Sequence, residues 1–275
     1  MMRSLYSGVS GLKNHQARMD VIGNNISNVN TAAYKSSRVV FQDIYSQTVK
    51  TASAGTATMG GTNPAQIGLG VSLGSIDIIF TSSATQRTDN PSDLAVEGDG
   101  FFVIDINGTD AGGMSYTRAG NFCVDNAGYL VTSDGHFVMG YDPTATPSSG
   151  ALEQINLTGY TGITFDDKGM IWGLDSSNTK VAVSKIALAL FTNNSGLEKV
   201  GGSLYSETGN SGTPVFSAAQ QSGAGKINPG GLEMSNVDLA SEFTDMIVTQ
   251  RGFQANSRII TTSDALLEEL VNLKR

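Results

Sequence analysis

Two histidines, one cysteine and scattered carboxylates are all that this 275-residue sequence offers for metal or nucleophilic chemistry. His15, His136 and Cys123 do not make a convincing metal set. A Ser–His–Asp relay would have to use His15, which falls in a helix-periodic stretch, or His136, which follows the turn-like Ser133-Asp134-Gly135. Asp166 and Asp167 are neighbours in a turn, so their carboxyls point apart and form no acid–base pair. Gly68, Gly70 and Gly74 give a spacing one residue longer than the dinucleotide fingerprint, with no βαβ pattern around it. Gly223 to Asn228 (GAGKIN) lacks the upstream glycine and the Ser/Thr of a phosphate loop. The sequence therefore predicts no enzyme, no cofactor, no metal and no small-molecule substrate. Cys123 lies between Phe122 and Val124 and reads as a buried thiol; a single cysteine forms no intrachain disulfide.

Composition narrows the class further. Hydrophobic residues make up 39% and charged residues 15%, both low for a compact enzyme. Glycine is abundant at 33 and proline scarce at 6, which suits a β-rich body with many turns. The formal net charge is −8 and no Lys/Arg run exists, so a nucleic-acid partner is not expected. No signal-peptide pattern is legible at the start, and the longest nearly apolar stretch, Val181 to Phe191, is too short to span a bilayer. Both features lead to the expectation of a soluble chain.

The elements that would position any site come from periodicity. Leu5, Leu12, Met19 and Ile26 are seven residues apart, with Val9, Ile22 and Val29 widening the stripe, which predicts an amphipathic N-terminal helix of coiled-coil type. Gly8, Gly11 and Gly23 weaken it by about 1 kcal/mol each. At the other end Leu239, Met246, Phe253, Ile260 and Leu267 form a second heptad series, flanked by Phe243, Ile247, Ile259, Leu266, Leu270 and Val271. A helix over about 238–272 follows, capped by Asn236 or Asp238. Short β-branched and aromatic runs cut by Gly, Asp and Asn occupy the middle and predict antiparallel strands. Val124 to Leu130 (VDNAGYL) and Phe165 to Ile171 (FDDKGMI) repeat one unit, an Asp that starts a turn and a Gly at the positive-φ position of a hairpin.

These readings assemble into an α+β chain with a discontinuous helical coiled-coil domain from both termini and a central antiparallel β domain. The expected boundaries are 1–50 for the N-terminal helix and the start of a linker, 51–74 linker, 75–208 β domain, 209–235 linker and 236–275 C-terminal helix. The two linkers rest on Gly/Thr/Ala- and Gly/Ser-rich composition.

Four segments then carry a family resemblance. Asn24-Asn25-Ile26-Ser27-Asn28-Val29-Asn30-Thr31 resembles the N-terminal signature of bacterial flagellar rod and hook proteins. Ala95 to Ile104 (AVEGDGFFVI) and Tyr116 to Val131 resemble their β-domain motifs, and the segment from Leu232 to Leu273 resembles their C-terminal helix. Within the family, the start, the linker and the ending look most like the compact hook proteins of Gram-positive bacteria, with the distal rod protein as the alternative. The resemblance implies a structural subunit that self-assembles into a tubular helical filament, in the hook a flexible joint that transmits torque and an export channel. It further implies export unfolded by the flagellar type III apparatus, an extracellular location in the basal body or hook, and as partners itself, neighbouring rod and hook-junction proteins, the export apparatus and the hook cap. Helix packing and assembly would fall to Leu5, Leu12, Met19, Asn24, Asn25, Ile26, Asn28, Asn30, Leu239, Phe243, Met246, Phe253, Ile260 and Leu267.

The four asparagines between residues 24 and 30 then acquire a reason. Side-chain amides supply donors and acceptors without charge, so they can tie helices together or end one. Burying a Leu, Met or Phe yields about 1.5–3 kcal/mol, against about 1–2 kcal/mol of backbone entropy per ordered residue. A glycine-bearing helix with one apolar stripe is thus expected to order only in a lattice of copies. The rival reading is a soluble β-domain binding module on a coiled-coil stalk, forming closed dimers or trimers.

Overall fold

The computed structural model describes residues 2–55, 59–106, 113–143 and 152–273. The chain is α+β and divides into two compact units. One comprises Met1–Ser27, Ser36–Ile79 and Val237–Arg275; the other comprises Asn28–Lys35 and Phe80–Asn236. Residues 1, 56–58 and 274–275 of the expected helix and linker spans, and 107–112 and 144–151 of the β span, lie outside the described residues.

The first unit holds two long helices, α1 (Met2–Ser27) and α2 (Leu239–Asn272). The Asp238 carboxylate accepts a hydrogen bond from the Ala240 N–H at 3.0 Å and caps α2. The helices run antiparallel, because contacts descend in α2 as they ascend in α1: Gly8 faces Ile260, Gly11 faces Asn256, and Arg18 pairs with Asp245. No helix among the described residues is long and apolar enough to cross a membrane.

Packed on α1 are strands β1 (Ser37–Asp43) and β4 (Val71–Ile78), joined antiparallel with a bulge at Val40/Phe41. Beyond them β2 (Ser46–Lys50) pairs with β3 (Ala65–Gly68), and a bridge joins Ser53 to Thr62. The nested pairs make one two-stranded ribbon. The stretch 51–74, expected as a linker, therefore contains β3 and half of β4, and β4 belongs to the helical unit rather than to the β domain. The ribbon escaped notice because β2 and β3 are exposed on both faces, which erases the period-2 alternation that marks a half-buried strand.

The second unit is an antiparallel β body. Phe101–Asp105, entirely buried, lies at its centre and pairs with Met114–Thr117, Phe137–Tyr141 and the long strand Lys180–Leu190. Leu94, Phe102, Ile104, Leu130, Val138, Ile171, Ile186 and Leu188 fill the core. Both repeated hairpins form as the sequence predicts. Gly128 and Gly169 take φ of +83° and +72°, and each donates its N–H back to the carbonyl of Asp125 or Asp166.

The second expected linker, 209–235, is also built into this body. Val215–Ala218 pairs with Lys180–Leu190, Lys226–Pro229 with Leu94–Glu97, and Gly231–Glu233 with Thr85–Arg87. Ile227 is buried in the core. Its Gly/Ser-rich flanks obscured three strands of only three or four residues.

Cys123 is exposed, contrary to its expected burial. In the strand Phe122–Val124 successive side chains alternate, and Phe122 takes the core side.

Candidate assembly surface

The seam between α1 and α2 is lined by small and polar residues. Gly8, Gly11, Asn14, Ile22 and Asn25 are the buried positions of α1, and Thr249 and Ser263 those of α2. A Cβ added at Gly11 would lie 2.7 Å from Asn256 Nδ2, and one added at Gly252 would lie 2.6 Å from the His15 ring. The helix backbones approach closely because these positions carry no side chain.

Asn25 is the central polar contact. Its amide nitrogen donates to the Ser37 carbonyl at 2.9 Å and to Glu242 Oε1 at 2.8 Å. Its amide oxygen accepts from the Ser37 N–H at 3.0 Å. One side chain thus satisfies both backbone groups of β1's first residue and a carboxylate on α2. Burial raises the Glu242 pKa, and the Asn25 bond opposes that shift. Asn14, not singled out from sequence, donates to the Val71 carbonyl at 2.7 Å and ties α1 to β4.

The remaining asparagines divide differently. Asn24 is exposed and Asn30 is exposed. Asn28 follows the end of α1 and starts a turn, accepting from Thr31 Oγ1 at 3.1 Å and, at its carbonyl, from the Thr31 N–H.

Among the heptad residues, Leu5, Leu12, Met19, Ile26, Met246, Ile260 and Leu267 are half-buried. Leu239, Phe243 and Phe253 are exposed, Phe243 by 50%. Ile247, Val248, Ile259, Leu266, Leu270 and Val271 are exposed as well, as are Met2, Tyr6 and Val9 of α1. The heptad stripe therefore does not fill the seam. Several of its large apolar side chains are exposed, and exposed apolar surface that is contiguous marks contact surfaces.

His15 lies against Gly252 and edge-on to Phe41 at 6.1 Å, with its buried Nδ1 lacking a partner among the described residues. Burial and then Arg18 hold its pKa below the ordinary 6.5. Among the described residues no group of three or more His, Cys, Asp or Glu is arranged to hold a metal. Gly70 to Gly74 (GVSLG) has the G-x-S-x-G spacing of a nucleophile elbow. Ser72, however, sits inside β4 rather than on a strand-to-helix turn.

Comparison with known proteins follows this layout. The family model "Flagella basal body rod protein" matches residues 5–35, "Flagellar hook protein FlgE/F/G D1 domain" matches 95–173, and "Flagellar basal body rod FlgEFG protein C-terminal" matches 228–273. The flagellar basal-body rod protein FlgG of Bacillus subtilis is 51% identical, with all of both chains covered. The chain belongs to the flagellar rod and hook family. Another family member, the FlgG rod protein of Caulobacter vibrioides, is 36% identical over 99% of this chain and all of its own. The hook protein FlgE of Borreliella burgdorferi is 32% identical with both chains covered, in an alignment stretched over 445 positions. Family membership makes this a structural subunit of the bacterial flagellum. The matches at 5–35 and 228–273 include most of α1 and all of α2, the elements that carry the outward apolar face.

Proposed function

We propose that this chain polymerises head to tail into a tubular helical filament of the flagellar axis, and that its place is the rod rather than the hook. The observation that carries polymerisation is the outward apolar face of α1 and α2, which a single copy leaves in water. Non-identical patches that meet head to tail give an open helix when the rotation between successive copies does not close into a ring. The rod assignment shifts from the hook that the terminal motifs favoured. It is supported by rod relatives of matching length, against hook relatives whose alignments extend far beyond 275 positions.

In this reading the terminal helices gain full order on assembly, when neighbours cover what one copy exposes. The chain reaches its site through the flagellar export apparatus and contacts adjoining axial proteins there. Two measurements test this. Concentrated protein viewed by electron microscopy forms tubes; closed dimers or trimers would overturn the proposal. Immunogold labelling of isolated basal bodies marks the segment below the hook; label on the curved segment would assign the hook instead.

A further inference from the structure

Three charged side chains are buried together in the second unit. Lys35, Arg118 and Glu233 have relative exposures of 0%, 2% and 2%. Lys35 Nζ donates to Glu233 Oε1 at 2.6 Å and to the Thr81 carbonyl at 2.8 Å. Arg118 donates to both Glu233 oxygens at 3.3–3.4 Å, to the Gly100 carbonyl at 3.1 Å and to the Gly98 carbonyl. The Ser83 N–H adds a further bond to Glu233 Oε1. Lys199 donates to the Lys35 carbonyl at 3.0 Å and lies 4.6 Å over the Tyr34 ring.

The cluster carries two cations for one carboxylate. Burial pushes the Lys35 pKa down, while its bond to Glu233 opposes the fall. A buried ion group of this kind adds little net stability over an apolar replacement, so its use is better sought in what it specifies.

Its members come from distant parts of the sequence, and two of them lie near positions where the chain changes unit. The passages fall at 27/28, 35/36, 79/80 and 236/237. Lys35 ends the short segment 28–35 that follows α1, Thr81 lies just after the third passage, and Glu233 lies just before the fourth. Backbone bonds tie the same segments: the Ala33 N–H to the Glu233 carbonyl, the Met234 N–H to the Ala84 carbonyl, and the Asn236 N–H to the Tyr34 carbonyl.

We infer that the Lys35–Glu233–Arg118 cluster is a clasp that holds the roots of both terminal helices side by side before the helices are ordered. From Lys35 the chain needs eight residues to reach the end of α1, and from Glu233 only a few to reach the cap of α2. Two helices tethered this closely meet at millimolar effective concentration, so their pairing is intramolecular. Arg118 fixes the clasp to the β body. The inference rests on the proposal that the helices order on assembly.

Lys35→Met gives the decisive test. It deletes one tie, leaves Arg118 paired with Glu233, and makes the buried cluster neutral, so the β body keeps its melting temperature. Glu233→Gln serves as the second variant, stranding both cations. Hydrogen exchange on the full-length monomer is expected to show about tenfold faster exchange at 29–36 and 230–236 in Lys35→Met, with 101–105 and 186–190 unchanged. Polymer formation, followed by light scattering, is expected to start about tenfold more slowly, while the finished tubes look the same. Unchanged exchange at 29–36 and 230–236, or unchanged assembly rate despite faster exchange, overturns the clasp. If wild-type protein itself forms no tubes, the polymerisation proposal fails instead, and the exchange data still report whether the roots are tied.

Discussion

Replacing Asn25 by alanine removes three hydrogen bonds at once: two to the backbone of Ser37 and one to Glu242. The neutral pair is worth about 1 kcal/mol each, and the carboxylate bond about 1.5–3 kcal/mol before discounting for the partial exposure of Glu242. The expected loss is about 3 kcal/mol, or about a hundredfold in an association constant. On the proposal that the helices order on assembly, the loss appears as a critical concentration about a hundredfold higher, measured by sedimenting polymer from soluble subunit. Asn24→Ala, at an exposed site one residue away, is expected to shift it less than Asn25→Ala does. Asn25→Asp keeps the shape but sets a second carboxylate against Glu242, and should do at least as much damage as alanine. Equal thresholds for Asn24→Ala and Asn25→Ala would refute the reasoning, since they would make the polar tie between α1, β1 and α2 irrelevant to assembly.

The glycines of the seam give a graded series. Gly8→Ala places a Cβ 3.4 Å from Ile260, an ordinary contact, and should lower the critical concentration through better helix propensity. Gly252→Ala drives a Cβ into the His15 ring and should weaken the fold by about 1–3 kcal/mol; identical behaviour of the two variants in the same sedimentation assay would contradict the close approach. The depressed His15 pKa predicts a loss in acid. Stability is flat above the ordinary value of 6.5 and declines as pH falls below it toward the folded-state value, because the unfolded chain takes the proton first. Glu242, with its pKa raised above 4.5, contributes the opposite slope in its own range, so the measurement is the difference between wild type and His15→Gln from pH 7 to 5.5. Removal of the histidine should flatten the decline, and an unchanged slope would exclude His15 as its source. Cys123 should react stoichiometrically with a maleimide in the native monomer, as an exposed thiol does; protection until denaturation would contradict its outward placement.

The helices and hairpins were legible because their signals are local. Heptad spacing identified α1 and α2 to within a few residues, and the Asp–Gly turns placed two hairpins. The contents of the seam were not legible from the same pattern. Gly8 and Gly11 looked like weaknesses in a helix, whereas the close approach makes them, with Gly252, part of the contact. Spacing of small residues at 8 and 11 and at 252, 256 and 263 could have revealed it. The buried clasp left no local trace, since Lys35, Arg118 and Glu233 are far apart in sequence. Each alone looks like a solvated surface charge.

A helix pair that meets through glycine, asparagine, threonine and serine saves its bulky side chains for strangers. In the proposed polymer those side chains meet neighbouring copies, and the net charge of −8 on each copy opposes that approach in dilute solution. That repulsion reaches about 10 Å at 0.1 M salt and about 3 Å at 1 M. On that proposal, raising the ionic strength weakens the repulsion and favours the meeting of copies.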